Sequence, residues 1–82
     1  MDDAEIIETI GRLADDERRL EEAHSGAGEG LSAGDAARLG ELQVTLDRLW
    51  DLLRQRRALR DAGRSPEEAE ERPPGTVEGY LQ

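Results

Sequence analysis

Hydrophobic residues recur at helical spacing in two long stretches of the chain. In the first stretch they are separated by four, three and seven residues: Ile6, Ile10, Leu13 and Leu20. This spacing places them on one face of a helix. Asp2 precedes the stretch and Glu5 follows three residues later, as in a capping box at a helix N-terminus. The pattern predicts a first helix from about residue 3 to about residue 23.

The second stretch has a longer hydrophobic stripe, with spacings of three, four, three and four: Leu39, Leu42, Leu46, Leu49 and Leu53. Ser32 precedes this stripe as a candidate N-cap, with Asp35 three residues later. Gly63 suits the position just beyond a helix C-terminus. The pattern therefore predicts a second helix that starts after Ser32 and runs to about Ala62.

The segment from Ser25 to Gly30 contains three glycines and is predicted to be a loop. No strand precedes it and no Lys-Ser or Lys-Thr follows it, so it is not a phosphate-binding loop. Farther on, Ser65 and Pro66 predict a short third helix to about Glu71. The sequence thus predicts an all-α fold, with an antiparallel two-helix hairpin over residues 1–64 and a short third helix with a C-terminal tail over residues 65–82.

The predicted hairpin leaves hydrophobic residues without cover. About ten side chains in its seam must offset the entropy of ordering about 50 residues, so an isolated hairpin is marginal. The candidate interface residues are Leu52, Leu59, Trp50, Val77, Tyr80 and Leu81. We expect the last three to dock onto the first three, or else to insert into another protein. A second copy could also supply the cover, because two hairpins make a four-helix bundle.

Composition and charge exclude several classes of protein. The chain has 82 residues, with 20 acidic and 11 basic side chains and a formal net charge of −9. This charge argues against nucleic acid or an anionic membrane surface as a partner. Cysteine is absent, so no disulfide and no thiolate metal site can form. No apolar run is long enough to span a bilayer and the acidic start does not resemble a signal peptide, so we expect a soluble cytoplasmic protein.

Charge is unevenly distributed along the chain. Residues 1–35 hold 3 Arg and 11 acidic residues, whereas residues 36–64 hold 7 Arg and 4 acidic residues. A compact part of the second group is Arg54, Arg56, Arg57 and Arg60. We expect this arginine cluster to pair with acidic residues at the start of the first helix and at 67–71. The alternative is a site for a nucleotide or another anionic ligand.

Metal binding and catalysis find little support in the sequence. Glu21 and His24 have the Glu-x-x-His spacing of di-iron carboxylate bundles, but His24 stands at a helix end beside the glycine-rich loop. Ser25, Ser32 and Ser65 occupy cap or loop positions, and the single histidine cannot be tied to any of them as a base. We therefore expect no cofactor and no enzymatic activity, and a metal-binding helical bundle with Glu21 and His24 as ligands remains the third alternative.

Three segments resemble a known protein family. Residues 46–58 read LDRLWDLLRQRRA, the chain opens MDDAEI, and it ends in VEGYL before the last residue. In these segments it resembles the short actinobacterial proteins grouped as domain of unknown function 2630. The resemblance implies an actinobacterial, cytoplasmic protein, and it implies no activity, cofactor or catalytic residue. We expect a self-associating or partner-binding module.

A looser similarity connects the chain to helical-hairpin regulators that hold sigma factors and bind cyclic dinucleotides. Glu41, Thr45 and Arg48 match part of the ligand motif of those proteins, whereas Leu52 and Arg56 depart from it.

Overall fold

The structure is a computed structural model that describes residues 1–25 and 32–72, apart from the side chains of residues 24 and 25. Helix α1 is Asp3–Ser25, helix α2 is Ala33–Asp61, and a 3-10 turn is formed by Pro66–Glu68. These ranges contain no strand, which confirms the predicted all-α class with two main helices. The loop was predicted from Ser25 to Gly30; Ser25 is the last residue of α1, and the rest of the predicted loop lies outside the described part. The tail residues Val77, Tyr80 and Leu81 also lie outside it.

Both helices begin at the predicted caps. The Oδ1 atom of Asp2 accepts a hydrogen bond of 2.8 Å from the backbone N–H of Glu5. The hydroxyl of Ser32 accepts one of 3.1 Å from the backbone N–H of Asp35. Each bond satisfies a backbone donor that has no partner within its helix, so the short polar side chain decides where the helix starts.

Helix α2 ends in a Schellman motif. Gly63 adopts a left-handed conformation with φ of +75°. Its N–H donates to the carbonyl of Arg60 at 3.0 Å, and the N–H of Arg64 donates to the carbonyl of Leu59 at 2.8 Å. The left-handed residue stops the helix and sends the following segment back toward α2.

Two glycine-to-alanine substitutions should change stability in opposite directions. Gly63→Ala should lower the free energy of unfolding by about 1 kcal/mol, because a side chain disfavours a positive φ. Gly40→Ala should raise it by about 0.5–1 kcal/mol, because alanine is the better helix former and a Cβ there meets no atom within 4 Å. Thermal unfolding followed by circular dichroism measures both. Shifts of the same sign would contradict the placement of Gly40 inside α2 and of Gly63 just beyond its end.

The core is a single cluster between the two helices: Ile6, Ile10, Leu46, Leu49 and Leu52, with Leu13 and Leu53 packed against it. Ile6 is completely buried. Near the end of the pair, Asp3 at the start of α1 bonds Arg56 and Arg60 late in α2, so the helices run antiparallel. Neither described helix is long and apolar enough to cross a membrane.

Residues 64–72, which we call the strap, return along one side of α2. The prediction of a helix to about Glu71 is wrong beyond Glu68, where the 3-10 turn ends. The reason is a tertiary contact: the Gln55 amide donates to the carbonyl of Glu70 at 2.6 Å and accepts from its N–H at 3.4 Å. These bonds occupy backbone groups that a longer helix would have used.

Candidate functional site

A buried carboxylate lies under the strap. Asp51 is only 1% exposed. Its Oδ2 accepts hydrogen bonds of 3.0 Å from Arg72 Nε and of 3.0 Å from Gln55 Nε2. Its Oδ1 lies 3.7 Å from a guanidinium nitrogen of Arg54. Burying a carboxylate is costly unless it is paired and hydrogen-bonded, and these contacts satisfy that condition.

The strap is held mainly through its backbone. Arg48 Nε donates to the carbonyl of Arg72 at 3.0 Å, while Gln55 bonds both backbone groups of Glu70. Ala69 adds an apolar contact with the core cluster. Because most of these bonds are to backbone atoms, they fix the path of the strap more than the identity of its residues.

A second polar cluster joins the strap to the start of α1. Arg56 is buried, and its Nε lies 2.5 Å from Asp3 Oδ1. The same guanidinium donates to the carbonyl of Pro66 at 3.3 Å and lies 3.5 Å from a carboxylate oxygen of Glu67. Arg60 Nη2 lies 2.6 Å from Asp3 Oδ2. The pKa of the Asp3 carboxyl is lowered, first by the hydrogen bond from Arg60 and then by that from Arg56.

Asp3 should make the stability of the protein depend on pH in the acid range. Its folded pKa lies below the ordinary value of 3.8, so the ionised side chain stabilises the fold above about pH 4. That contribution is lost as the pH falls through the folded pKa. Asp3→Asn should melt at a lower temperature than the natural chain at pH 7, and the difference should shrink below about pH 4. Glu8→Gln is the control, and a pH-independent difference for Asp3→Asn would contradict the assigned ion pairs.

The predicted arginine cluster is divided by the fold. Arg56 and Arg60 meet at Asp3, as expected for pairing with the acidic start of α1. Arg54 and Arg57 instead line a shallow depression on α2. The structure thus brings two of the four arginines together around a carboxylate of the chain itself, and the proposed anion site stays a prediction.

The side of the hairpin away from the strap carries exposed hydrophobic residues. Trp50 is 50% exposed and Ile7 is 55% exposed. Ile7 directly follows the buried Ile6, and Trp50 directly follows the buried Leu49. In an antiparallel helix pair, the residues that follow two facing core residues lie on the same side of the pair. A depression of about 150 Å³ there is lined by Trp50, Leu53, Arg54 and Arg57. We call the surface formed by Ile7, Trp50, Leu53 and Arg57 the tryptophan face.

The fold separates the candidate interface residues of α2. Leu52 is buried in the core cluster, where Ala69 of the strap also packs, and Leu59 is half-buried. The hairpin alone was expected to leave Leu52 without cover, and in the structure Ala69 of the strap packs against the cluster that contains it. Docking of Val77, Tyr80 and Leu81 stays a prediction, because these residues lie outside the described part. Trp50 remains exposed on the tryptophan face.

The candidate metal and nucleophile residues form no site in the described part of the chain. No group of three or more His, Asp or Glu side chains there could hold a metal ion. Glu21 is exposed, and the side chain of His24 lies outside the described atoms. The hydroxyls of Ser32 and Ser65 accept backbone N–H groups as helix caps.

Asp51 and Gln55 were not predicted as site residues among the polar residues of α2. Their partners, Arg72 and Glu70, lie 21 and 15 residues farther along the chain. Helical periodicity reports only local spacing, so no signal in it could have joined these residues.

The fold is a helical hairpin whose end is tied by a returning strap. The chain belongs to the family described as Protein of unknown function (DUF2630), whose profile matches residues 2–82 and confirms the resemblance. The chain is similar to the uncharacterized protein Rv0898c of Mycobacterium tuberculosis, with 41% identity over 80 residues, which cover 95% of this chain and 88% of the relative. The same figures hold for the uncharacterized protein Mb0922c of Mycobacterium bovis. No solved structure matches the chain significantly.

Proposed function

We propose that the chain is a non-catalytic cytoplasmic module that binds another protein chain through the tryptophan face. The observation that carries this proposal is the exposure of Trp50 and Ile7 on one side of the hairpin. Tryptophan is enriched where partners meet, because one ring buries a large apolar area at little entropic cost. Arg57, at the edge of this surface, adds a charge that can orient a partner.

The internal pairing of the polar residues supports a non-catalytic role. Asp51, Arg56 and Arg60 are three charged side chains near the end of the hairpin. Each is bonded to the strap or to α1. A catalytic acid or base needs a pocket and access to a substrate, and Asp51 is sealed beneath Arg72.

Site-specific photo-crosslinking in mycobacterial cells tests the proposal. Ile7→p-benzoyl-phenylalanine places the probe on the tryptophan face, and Ala37→p-benzoyl-phenylalanine places it at an exposed position elsewhere on α2. We expect a discrete protein adduct from position 7 that is absent from position 37. The adduct should disappear when Trp50→Glu is added. Equal adducts from both positions, or none from position 7, would overturn the proposal.

A second candidate function is the binding of a small anion. A groove of about 590 Å³ between the end of α2 and the strap is lined by Arg54, Arg64 and Arg72, with Leu59 in its wall. Titration with inorganic phosphate and with AMP at low salt, followed by amide NMR shifts, tests it. We expect shifts confined to residues 54–72. Unmoved amides there would overturn this candidate.

A further inference from the structure

We infer that the partner at the tryptophan face is a second copy of this chain, with α1 of each copy against α2 of the other in an antiparallel four-helix bundle. The inference rests on the proposed function and names the partner of the same surface. Three observations carry it: the exposure of Ile7 and Trp50 at one level of the hairpin, the unequal charge of the two helices and the small size of the core.

The tryptophan face can pair with itself. Ile6 and Leu49 lie in one buried cluster, so Ile7 and Trp50, which follow them, stand at the same level of the hairpin. A two-fold axis parallel to the helices then places Ile7 of one copy over Trp50 of the other, and the reverse contact forms automatically. A single chain therefore supplies both halves of the interface.

Charge selects this arrangement over its alternative. Helix α1 contains 8 acidic residues and 3 arginines, a net charge of −5, whereas α2 contains 5 acidic residues and 6 arginines, a net charge of +1. A two-fold axis across the helices would stack α1 on α1 and bring two charges of −5 together. The axis parallel to the helices stacks α1 on α2 instead, which avoids this repulsion.

Arg57 makes the electrostatic match local. Its neighbour Arg56 bonds Asp3, so Arg57 stands at the level of the acidic start of α1. It is exposed on the tryptophan face, beside Trp50 and Leu53. In the proposed bundle it lies against the first turn of the other copy's α1, where Asp3 stands one turn before Ile7 on the same side of the helix. The contact occurs twice, once in each direction.

The size of the core also favours a second copy. In the described ranges, six hydrophobic side chains are buried: Ile6, Ile10, Leu42, Leu46, Leu49 and Leu52. Small domains bury a low fraction of their surface, and oligomerisation is one of the usual ways in which they gain stability. Covering Ile7 and Trp50 would extend the core across both copies.

The full chain in solution provides a direct test. We expect light scattering to show that the mass doubles from 9.1 kDa as the protein concentration rises from about 1 µM to about 1 mM. The buffer should contain about 0.15 M salt, because salt screens the repulsion between two chains of like net charge. Trp50 is the single tryptophan, so its emission should shift to shorter wavelength with the same midpoint. Ile7→Glu should weaken dimerisation at least about a hundredfold, whereas the matched charge change Ala37→Glu should alter it less than about threefold.

Each contrary result has a separate meaning. A mass of 9.1 kDa at every concentration overturns the inference that the partner is a second copy of this chain. If Trp50 is nevertheless shielded at all concentrations, residues 73–82 of the same chain cover it. If the chain is monomeric but position 7 forms a photo-adduct with a different protein, the proposed function stands and only the second copy is overturned. If position 7 forms no adduct, the proposed function and the second copy are both overturned. A dimer that survives Ile7→Glu with helicity intact uses another surface and overturns the inference. Circular dichroism of Ile7→Glu separates loss of the dimer from loss of the fold.

Discussion

Replacing Ile6 with alanine is expected to remove about 2–5 kcal/mol of stability, the usual cost of truncating a fully buried isoleucine. Ile6 is 0% exposed and touches the part of the core where both helices meet. A domain of this size has a total stability near the low end of about 5–15 kcal/mol. The melting temperature should therefore fall by about 10 °C or more. Far-UV circular dichroism during heating and in urea measures the loss.

Ile7→Ala is the matched control, because it removes the same atoms from the next residue. Ile7 is 55% exposed, and alanine is the better helix former, so the change should stay below about 1 kcal/mol. Both variants should be compared at about 1–5 µM, because association would add to the apparent stability of the natural chain. Equal losses at the two positions would contradict the assigned core face of α1.

The helices were predictable because their signals are local. The bonds that start them join Asp2 to Glu5 and Ser32 to Asp35, three residues apart. The stop at Gly63 depends on bonds within the same turn. Such contacts depend on residue type and spacing, and both can be read directly from the sequence.

The strap could not be derived in the same way. Its position depends on Arg72 reaching Asp51 and on Gln55 reaching Glu70, contacts across more than a dozen residues. A helical projection of α2 alone therefore leaves Leu52 on a bare face. Packing changes this picture, because the returning segment widens the buried side of α2.

The candidate interface was predictable only in part for the same reason. Trp50, Leu52 and Leu59 were all predicted to be hydrophobic surface that needs cover. Residues two apart on a helix lie about 200° apart, and the fold covers one of these directions while leaving the other exposed. Trp50 is 50% exposed, whereas Leu52 is 8% exposed. The position of the strap decides that Leu52, and not Trp50, is the residue that is buried.

Loss of the Asp51 carboxylate should loosen the Arg72 end of the strap and cost about 2–3 kcal/mol. Asp51→Ala leaves Arg72 and Gln55 without their common acceptor and opens a void beside the core. The estimate is below the range for fully buried pairs because Arg72 is partly exposed. Urea unfolding measures the loss, and Asp47→Ala, one turn earlier on α2, serves as the control, with an expected change within about 0.5 kcal/mol.

A double-mutant cycle separates the ion pair between Asp51 and Arg72 from simple loss of packing. Arg72→Ala alone should cost about 1 kcal/mol, because its side chain is half in water and its backbone bond to Arg48 survives. In the Asp51→Ala background the same change should cost almost nothing, which gives a coupling energy of about 1 kcal/mol. Additive losses would mean that Arg72 acts independently of Asp51. The strap would then be held by its backbone bonds to Gln55 and Arg48. The cost of Asp51→Ala would then come from lost packing and not from the ion pair with Arg72.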